Sequence, residues 1–305
     1  MTQKIGLMVG MEWSWPPAFI EEVNGRNQDI IAEFVTLGGT KMDEPCPYAV
    51  IVDRISHEVP YYRSYLKNAM LQGTHVINNP FMWTADDKFF GASLITKLGI
   101  ASPKTAVLPN KAYIPGIDHD KSLRNLVYPM PWQEMVDYIG GFPCILKDAH
   151  GGGWKEVYVC HDMEALYRSY DQSGQLTMVL QEFIHWDDYI RCMVLGEEDV
   201  LVMSYDPHSR KYSHPNLSKK LHKRIVSDCQ KLCHAFGYDM NTCEFAVRDG
   251  IPYAIDFMNP APDMDINSLG DEFYHWCVTH MADLCIGLVK KPRPQVAEMR
   301  WSSLF

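Results

Sequence analysis

The chain is poor in positive charge. Its 28 Lys and Arg stand against 38 Asp and Glu, for a formal net charge of -10. Nucleic acid and anionic membrane both want a basic face, so this balance argues against either partner. A small anionic substrate can still be held by a few local cations. Long apolar runs are missing too, and none reaches the roughly 20 residues that a membrane span needs. The start of the chain carries one lysine and then a core-like strand, which is unlike a secretory leader. There is no C-x-x-C pair among the 9 cysteines. Cys229 and Cys233 have helical spacing, but a zinc site needs more ligands, so they read as ordinary thiols. Scattered, odd-numbered cysteines fit a reducing compartment, and the expected location is cytoplasmic. Internal repeats and low-complexity segments are absent. So is a Walker A loop, because G-x-x-x-x-G-K-[ST] occurs nowhere.

What is present suits a soluble protein. Of 305 residues 47% are hydrophobic and 22% charged, which is ordinary for a globular chain of two or three packed subdomains. The stretch from Gly140 to Trp154 stands out. Phe142-Pro143-Cys144-Ile145-Leu146-Lys147 reads as a buried strand ending in a lysine. The turn Gly151-Gly152-Gly153 follows, then a second strand over Val157-Tyr158-Val159. Glycines let backbone N–H groups approach phosphate oxygens, and a lysine adds a mobile point charge. A tight hairpin with a surface lysine is the alternative.

Strand-like runs at 5–10, 30–36, 49–53 and 75–78 alternate with helical patterns at 18–24 and 60–71. That βαβ rhythm predicts an open parallel sheet. Arg54 lies at the carboxyl end of a strand, where ligands of such sheets collect, and its fork of donors suits an anion. Thr84 or Asp86 is expected to cap a helix running to Leu98, with Lys88 in its first turn. A cation there is disfavoured by the helix dipole unless an anion lies between. Residues 110–131, with Asp118, His119 and Asp120, read as an insertion or long loop.

Met178 to Ile184 predicts a strand whose backbone at Glu182, Phe183 and Ile184 could bond an adenine edge. Asp188 is placed for a ribose hydroxyl pair. Arg191 sits among apolar strand neighbours and wants a partner, either phosphate or a nearby carboxylate. Arg210 falls in a polar loop over 206–216. A helix then runs to about Phe236. Arg248-Asp249-Gly250 signals a hairpin that brings Glu244 and Asp256 opposite each other. Paired carboxylates in apolar strands repel unless a cation lies between them. Asn259 adds a neutral oxygen, Asp263 and Asp265 are spare carboxylates nearby, and an all-oxygen set suits Mg²⁺.

In order, Lys88, Lys147, the Gly-rich turn, Gln181-Glu182-Phe183-Ile184, Asp188, Arg191, Glu244, Asp256 and Asn259 resemble the ATP-grasp superfamily. The resemblance covers nearly the whole chain. It is strongest to the glutathione-synthetase/RimK-like and D-alanine–D-alanine-ligase-like branches. It implies an α/β fold, α+β in the catalytic half. An N-terminal open parallel sheet domain, 1–80, would be followed by two α+β subdomains, 81–177 and 178–305, that clamp ATP. It further implies an ADP-forming carboxylate–amine ligase that works through an acylphosphate. Lys88, Lys147 and Gly151 to Gly153 would take the phosphates. Glu182, Phe183 and Ile184 would take adenine, and Asp188 ribose. Arg191 would stabilise the transferring phosphoryl group or the tetrahedral oxyanion. Glu244, Asp256 and Asn259 would hold two Mg²⁺ ions, with Mn²⁺ able to substitute. Arg54 and Arg210 would anchor the substrate carboxylate. The substrates would be a small carboxylate and an amine, amino acids or a peptide among them. The family's usual Glu-x-Asn metal pair is spaced differently here, which leaves open whether Asp256 or a neighbour supplies the second carboxylate. A small-molecule kinase and a catalytically silent nucleotide-binding regulator stay open as alternatives, as does the assembly, a homodimer included.

Overall fold

Ile5, Leu7 and Met8 are buried, as are Val50, Ile51 and Val52. Strands this apolar on both faces must be covered on both faces, which is the signature of a parallel sheet. The computed structural model bears this out. It describes residues 2–26, 29–81, 87–117, 119–152, 155–293 and 295. Strands Gln3–Met8 (β1), Ile30–Phe34 (β2), Val50–Asp53 (β3) and His75–Ile77 (β4) form a parallel sheet of order β2-β1-β3-β4. Helices Trp15–Gly25 (α1) and Pro60–Leu71 (α2) connect them, each with proline in its first turn, where the missing N–H costs nothing.

By its contacts the chain divides into two compact units. The first contains 1–85, 189–245 and 257–305; the second contains 86–188 and 246–256.

In the first unit, Asp188–Leu195 (β9) hairpins onto Asp199–Asp206 (β10), and Lys211–Ser213 (β11) pairs beyond it. Met240–Arg248 (β12) lies on the other side of β9. Helix Lys219–Phe236 (α7) starts at Ser218, whose hydroxyl accepts from Leu221 N–H, and ends at Gly237 with φ 72°. Asp271–Lys290 (α8) buries Phe273, Cys277, Met281 and Cys285. These join Ile5, Leu7, Phe19, Met193, Met203 and Met240 in one core. The 206–216 segment, read as loop, contains β11. Two of its three residues are exposed, so no hydrophobic alternation marks it.

The second unit holds Thr105–Leu108 (β5), Cys144–Asp148 (β6), Val157–Cys160 (β7) and Met178–Glu182 (β8), in order β5-β8-β6-β7. Helices Lys88–Lys97 (α3), Trp132–Ile139 (α5) and Met163–Gln172 (α6) belong to it, and a short turn of helix, His119–Ser122 (α4), lies within the 110–131 insertion. Leu108, Val136, Ile139, Leu146, Leu166 and Leu180 share its core. The expected caps Thr84 and Asp86 lie outside the described residues, as does Asp118. The cap of α3 is Asp87, whose carboxylate accepts from Phe90 N–H at 2.5 Å. The β12 strand turns at Asp249 and Gly250, both at positive φ, as the tight hairpin type requires, and returns as Ile251–Asp256 (β13). Among the described residues, no helix is long and apolar enough to cross a membrane.

Candidate functional site

Within the second unit, β6 alternates. Cys144 and Leu146 enter the core, while Lys147 points to the other face with Val157 and Val179 beside it in the ladder. Lys147 is 7% exposed, and its ammonium donates to the carbonyl of Ile255 at 3.0 Å. The next residues leave the sheet: His150 N–H bonds the Asp148 carboxylate at 3.0 Å. Lys88, at the start of α3, donates its ammonium to the carbonyl of Gly151, and its backbone N–H to Ala149 O at 3.0 Å. So one lysine holds the Gly-rich turn and another stands at the end of the strand that feeds it. Gly153 lies outside the described residues.

Gly151 has a steric reason to be glycine. A Cβ there would sit 2.7 Å from Asp148 Oδ2 and 2.9 Å from its Cβ, whereas at Gly152 nothing lies within 4 Å. Gly151→Ala should therefore displace Asp148 and its turn, at a cost of about 1–3 kcal/mol. Gly152→Ala should be within about 0.5 kcal/mol of the parent. Thermal melting of the two variants checks this; equal stabilities would overturn the steric account.

Glu182 ends β8 in a fixed position. Its N–H donates to Lys104 O at 2.8 Å, one carboxylate oxygen accepts from Lys104 N–H at 3.2 Å, and the other faces Arg248 at 3.4 Å. Phe183 packs on His185 and Trp186, and Ile184 is buried. Asp188 opens β9, half-buried, and Asp256 ends β13, exposed.

In the first unit, Arg191 meets the alternative partner, a carboxylate. Its guanidinium lies 3.0 Å from Glu244 Oε1. Tyr189 donates its hydroxyl to the other Glu244 oxygen. Arg191 also donates to the Tyr212 hydroxyl at 2.8 Å, and its charge sits 5.2 Å from the centre of the Tyr205 ring. The register explains the cluster. Arg191 pairs with Met203, so Tyr205, two residues on, shares its face, and Tyr205 lies directly opposite Tyr212. Burial works against the Arg191 charge, but Glu244 and the tyrosines outweigh it and hold the group above its ordinary value. Burial pushes the Tyr205 and Tyr212 hydroxyls up. Asp263 acts on both tyrosines electrostatically. The tyrosines were missed in the sequence. Only Tyr189 had a signal, in its period-two spacing from Arg191 along one strand face.

Arg54 is 4% exposed. Its donors go to both oxygens of Glu12, with Nε at 2.7 Å, and to the Pro262 carbonyl at 2.5 Å, while Trp15 stacks under it. The fork is engaged by the protein itself. Arg210 is exposed in the β10–β11 turn at φ 57°.

Among the described residues, no three His, Cys, Asp or Glu side chains gather as a metal cluster. Mg²⁺ needs only one or two carboxylates when phosphate supplies the other ligands, so the oxygen donors fit that chemistry. Glu244 would share its oxygens between the ion and Arg191. The Asn259 side-chain oxygen accepts from Ala261 N–H at 3.3 Å.

No protein-family model matches the chain. Among curated proteins it is similar to mitochondrial pyruvate carboxylase of Homo sapiens, 29% identical over 137 residues, and to that of Rattus norvegicus, 28% identical over the same length. The match takes in 38% of this chain and only 12% of those much longer enzymes. Solved structures resemble it over far more. D-alanine–D-alanine ligase from Bacillus anthracis superposes with TM-score 0.66 at 17% identity, covering 95% of this chain and 98% of that one. A RimK domain ATP-grasp protein from Sphaerobacter thermophilus gives 0.67 at 14%, covering 92% and 98%. The ATP-grasp ligase PsnB, solved with a minimal precursor, Mg and ADP, gives 0.66 at 12%, covering 95% and 99%. Likeness of this extent, along nearly the full length of each pair, makes the chain a protein of the ATP-grasp fold.

Proposed function

We propose that the protein is an ADP-forming ligase that joins a carboxylate to an amine at the expense of ATP. The observation that carries the reading is Lys147, a buried lysine at the end of β6. It is followed by a turn whose first glycine has no room for a side chain, all within a fold shared with D-alanine–D-alanine ligase and PsnB. A carboxylate oxygen of the substrate attacks the γ-phosphorus and ADP leaves. The amine nitrogen then attacks the acylphosphate carbon, phosphate departs, and the amine loses a proton. Lys147 and Lys88 balance phosphate charge, and Gly151 and Gly152 present backbone N–H groups. The backbone at Glu182, Phe183 and Ile184 meets the adenine edge, and Asp188 takes ribose. Arg191 meets negative charge as it develops. Glu244, Asp256 and Asn259 would hold Mg²⁺, which would supply positive charge against the triphosphate. The acceptors are amino acids or a peptide.

The test is an isotope transfer. Purified protein is given MgATP, a panel of ¹⁸O-labelled amino acid carboxylates and a panel of amines. Phosphate release that needs both substrates, with one ¹⁸O in each phosphate, is expected. A stable phosphorylated hydroxyl product would make it a kinase instead. No magnesium-dependent use of ATP under any pairing would end the proposal.

A further inference from the structure

Two cysteines with no part in the proposed ligation face each other across a strand pair. Cys144 opens β6, Cys160 closes β7, and the antiparallel register sets them directly opposite. Opposed residues in such a ladder have Cα atoms about 4.5–5.5 Å apart, inside the roughly 4.4–6.8 Å window of a disulfide. Their side chains lie in the same core. Both are free thiols, both fully buried, and they are hydrogen-bonded to each other. Cys160 Sγ also lies 3.9 Å from Ser169 Oγ. The chain between them carries Lys147, Gly151 and Gly152. β7 is the edge strand of its sheet, the side from which local opening admits small molecules.

We propose that Cys144 and Cys160 are a redox modification site: a reversible disulfide that ties the base of the hairpin bearing Lys147 and the Gly-rich turn. Cys160, on the edge strand, is the attacking member. The Cys144 hydrogen bond, against burial, draws its thiol down to about 7, while the same bond and burial push Cys144 up. The thiolate is the nucleophile in such chemistry. The oxidant is a hydroperoxide. Cys160 sulfur attacks the nearer peroxide oxygen, the O–O bond breaks, and the sulfenic acid forms as water or an alcohol leaves. The Cys144 sulfur then attacks the sulfenic sulfur, its proton leaves with the hydroxyl as water, and the S–S bond closes. The two thiols lose two electrons in all, and the peroxide gains them. A dithiol reductant reverses the change by exchange. The link itself is independent of the ligase reading; its effect on ATP rests on that reading.

The full chain is treated with a small excess of hydrogen peroxide, blocked with an alkylating reagent under denaturing conditions, and digested for mass spectrometry. A peptide pair joined at 144 and 160 is expected, cleaved by dithiothreitol. A loop of about 15 residues closed by a disulfide should raise the melting temperature by on the order of 5 °C. MgATP affinity should change at least threefold and recover on reduction. Cys144→Ser should leave a sulfenic acid on Cys160 that a 1,3-diketone traps, and Cys160→Ser should leave none. Should either variant fail to fold, the peptide map and melting of the unaltered chain still decide. Recovery of both residues as thiols while other cysteines oxidise would overturn the site. A joined pair with no rise in melting temperature would overturn its tying role. If the reduced protein binds no MgATP although the link forms and stabilises the chain, the ligase reading falls and the disulfide stands.

Discussion

Replacing Arg191 with alanine is expected to cost about 3–5 kcal/mol of stability, because it takes the guanidinium from the Glu244 carboxylate in a site where that carboxylate is 7% exposed. The Tyr189 hydroxyl would remain on one oxygen, but a neutral donor does not replace a guanidinium at 3.0 Å. On the proposed ligation, turnover should fall by about 10²–10³-fold or more, through loss of the charge assigned to the oxyanion. Urea unfolding followed by tryptophan fluorescence reads the first effect, and phosphate release the second. Arg191→Ala/Glu244→Gln should recover much of the stability and none of the activity, since no unpaired charge is left. A single variant within about 1 kcal/mol of the parent would show that the pair is not a coupled buried unit.

This pair also marks how far the sequence was readable. Arg191 among Ile190, Cys192 and Met193 announced that it needed a partner, because a buried guanidinium is never left bare. Which partner it had depended on β12 lying beside β9, a pairing between strands some fifty positions apart along the chain. Local pattern carries no such information. The parallel sheet was legible because its strands are apolar on both faces, and α2 because Pro60 and Gly73 punctuate it. The helix over 88–97 was found but its cap was misplaced, since Thr84, Asp86 and Asp87 are chemically alike as caps and only geometry selects among them. Arg54 was taken for a ligand anchor on its position at a strand end. Its fork is met by Glu12 on the loop after β1, and loop positions have no periodicity from which to foresee such a contact. The tyrosines around Arg191 were unseen because Tyr205 and Tyr212 meet only through the β10–β11 register.

Lys147→Met gives the opposite balance of effects. Methionine keeps the length and the apolar stem between Val157 and Val179 and removes the ammonium. A charge at 7% exposure carries a desolvation penalty that a carbonyl acceptor offsets only in part. Removing charge and penalty together should change stability by less than about 2 kcal/mol, far less than at Arg191. Affinity for MgATP, by contrast, should fall by about 10²-fold, because the anion loses a charge-assisted donor already held in place. Calorimetric titration and thermal melting, done on the same preparation, separate the two. A variant that binds MgATP as tightly as the parent, whatever its melting temperature, would take the lysine out of the nucleotide site. One that melts like the parent and no longer binds would assign the buried charge to the nucleotide, since a stem without charge fills the same space in the sheet.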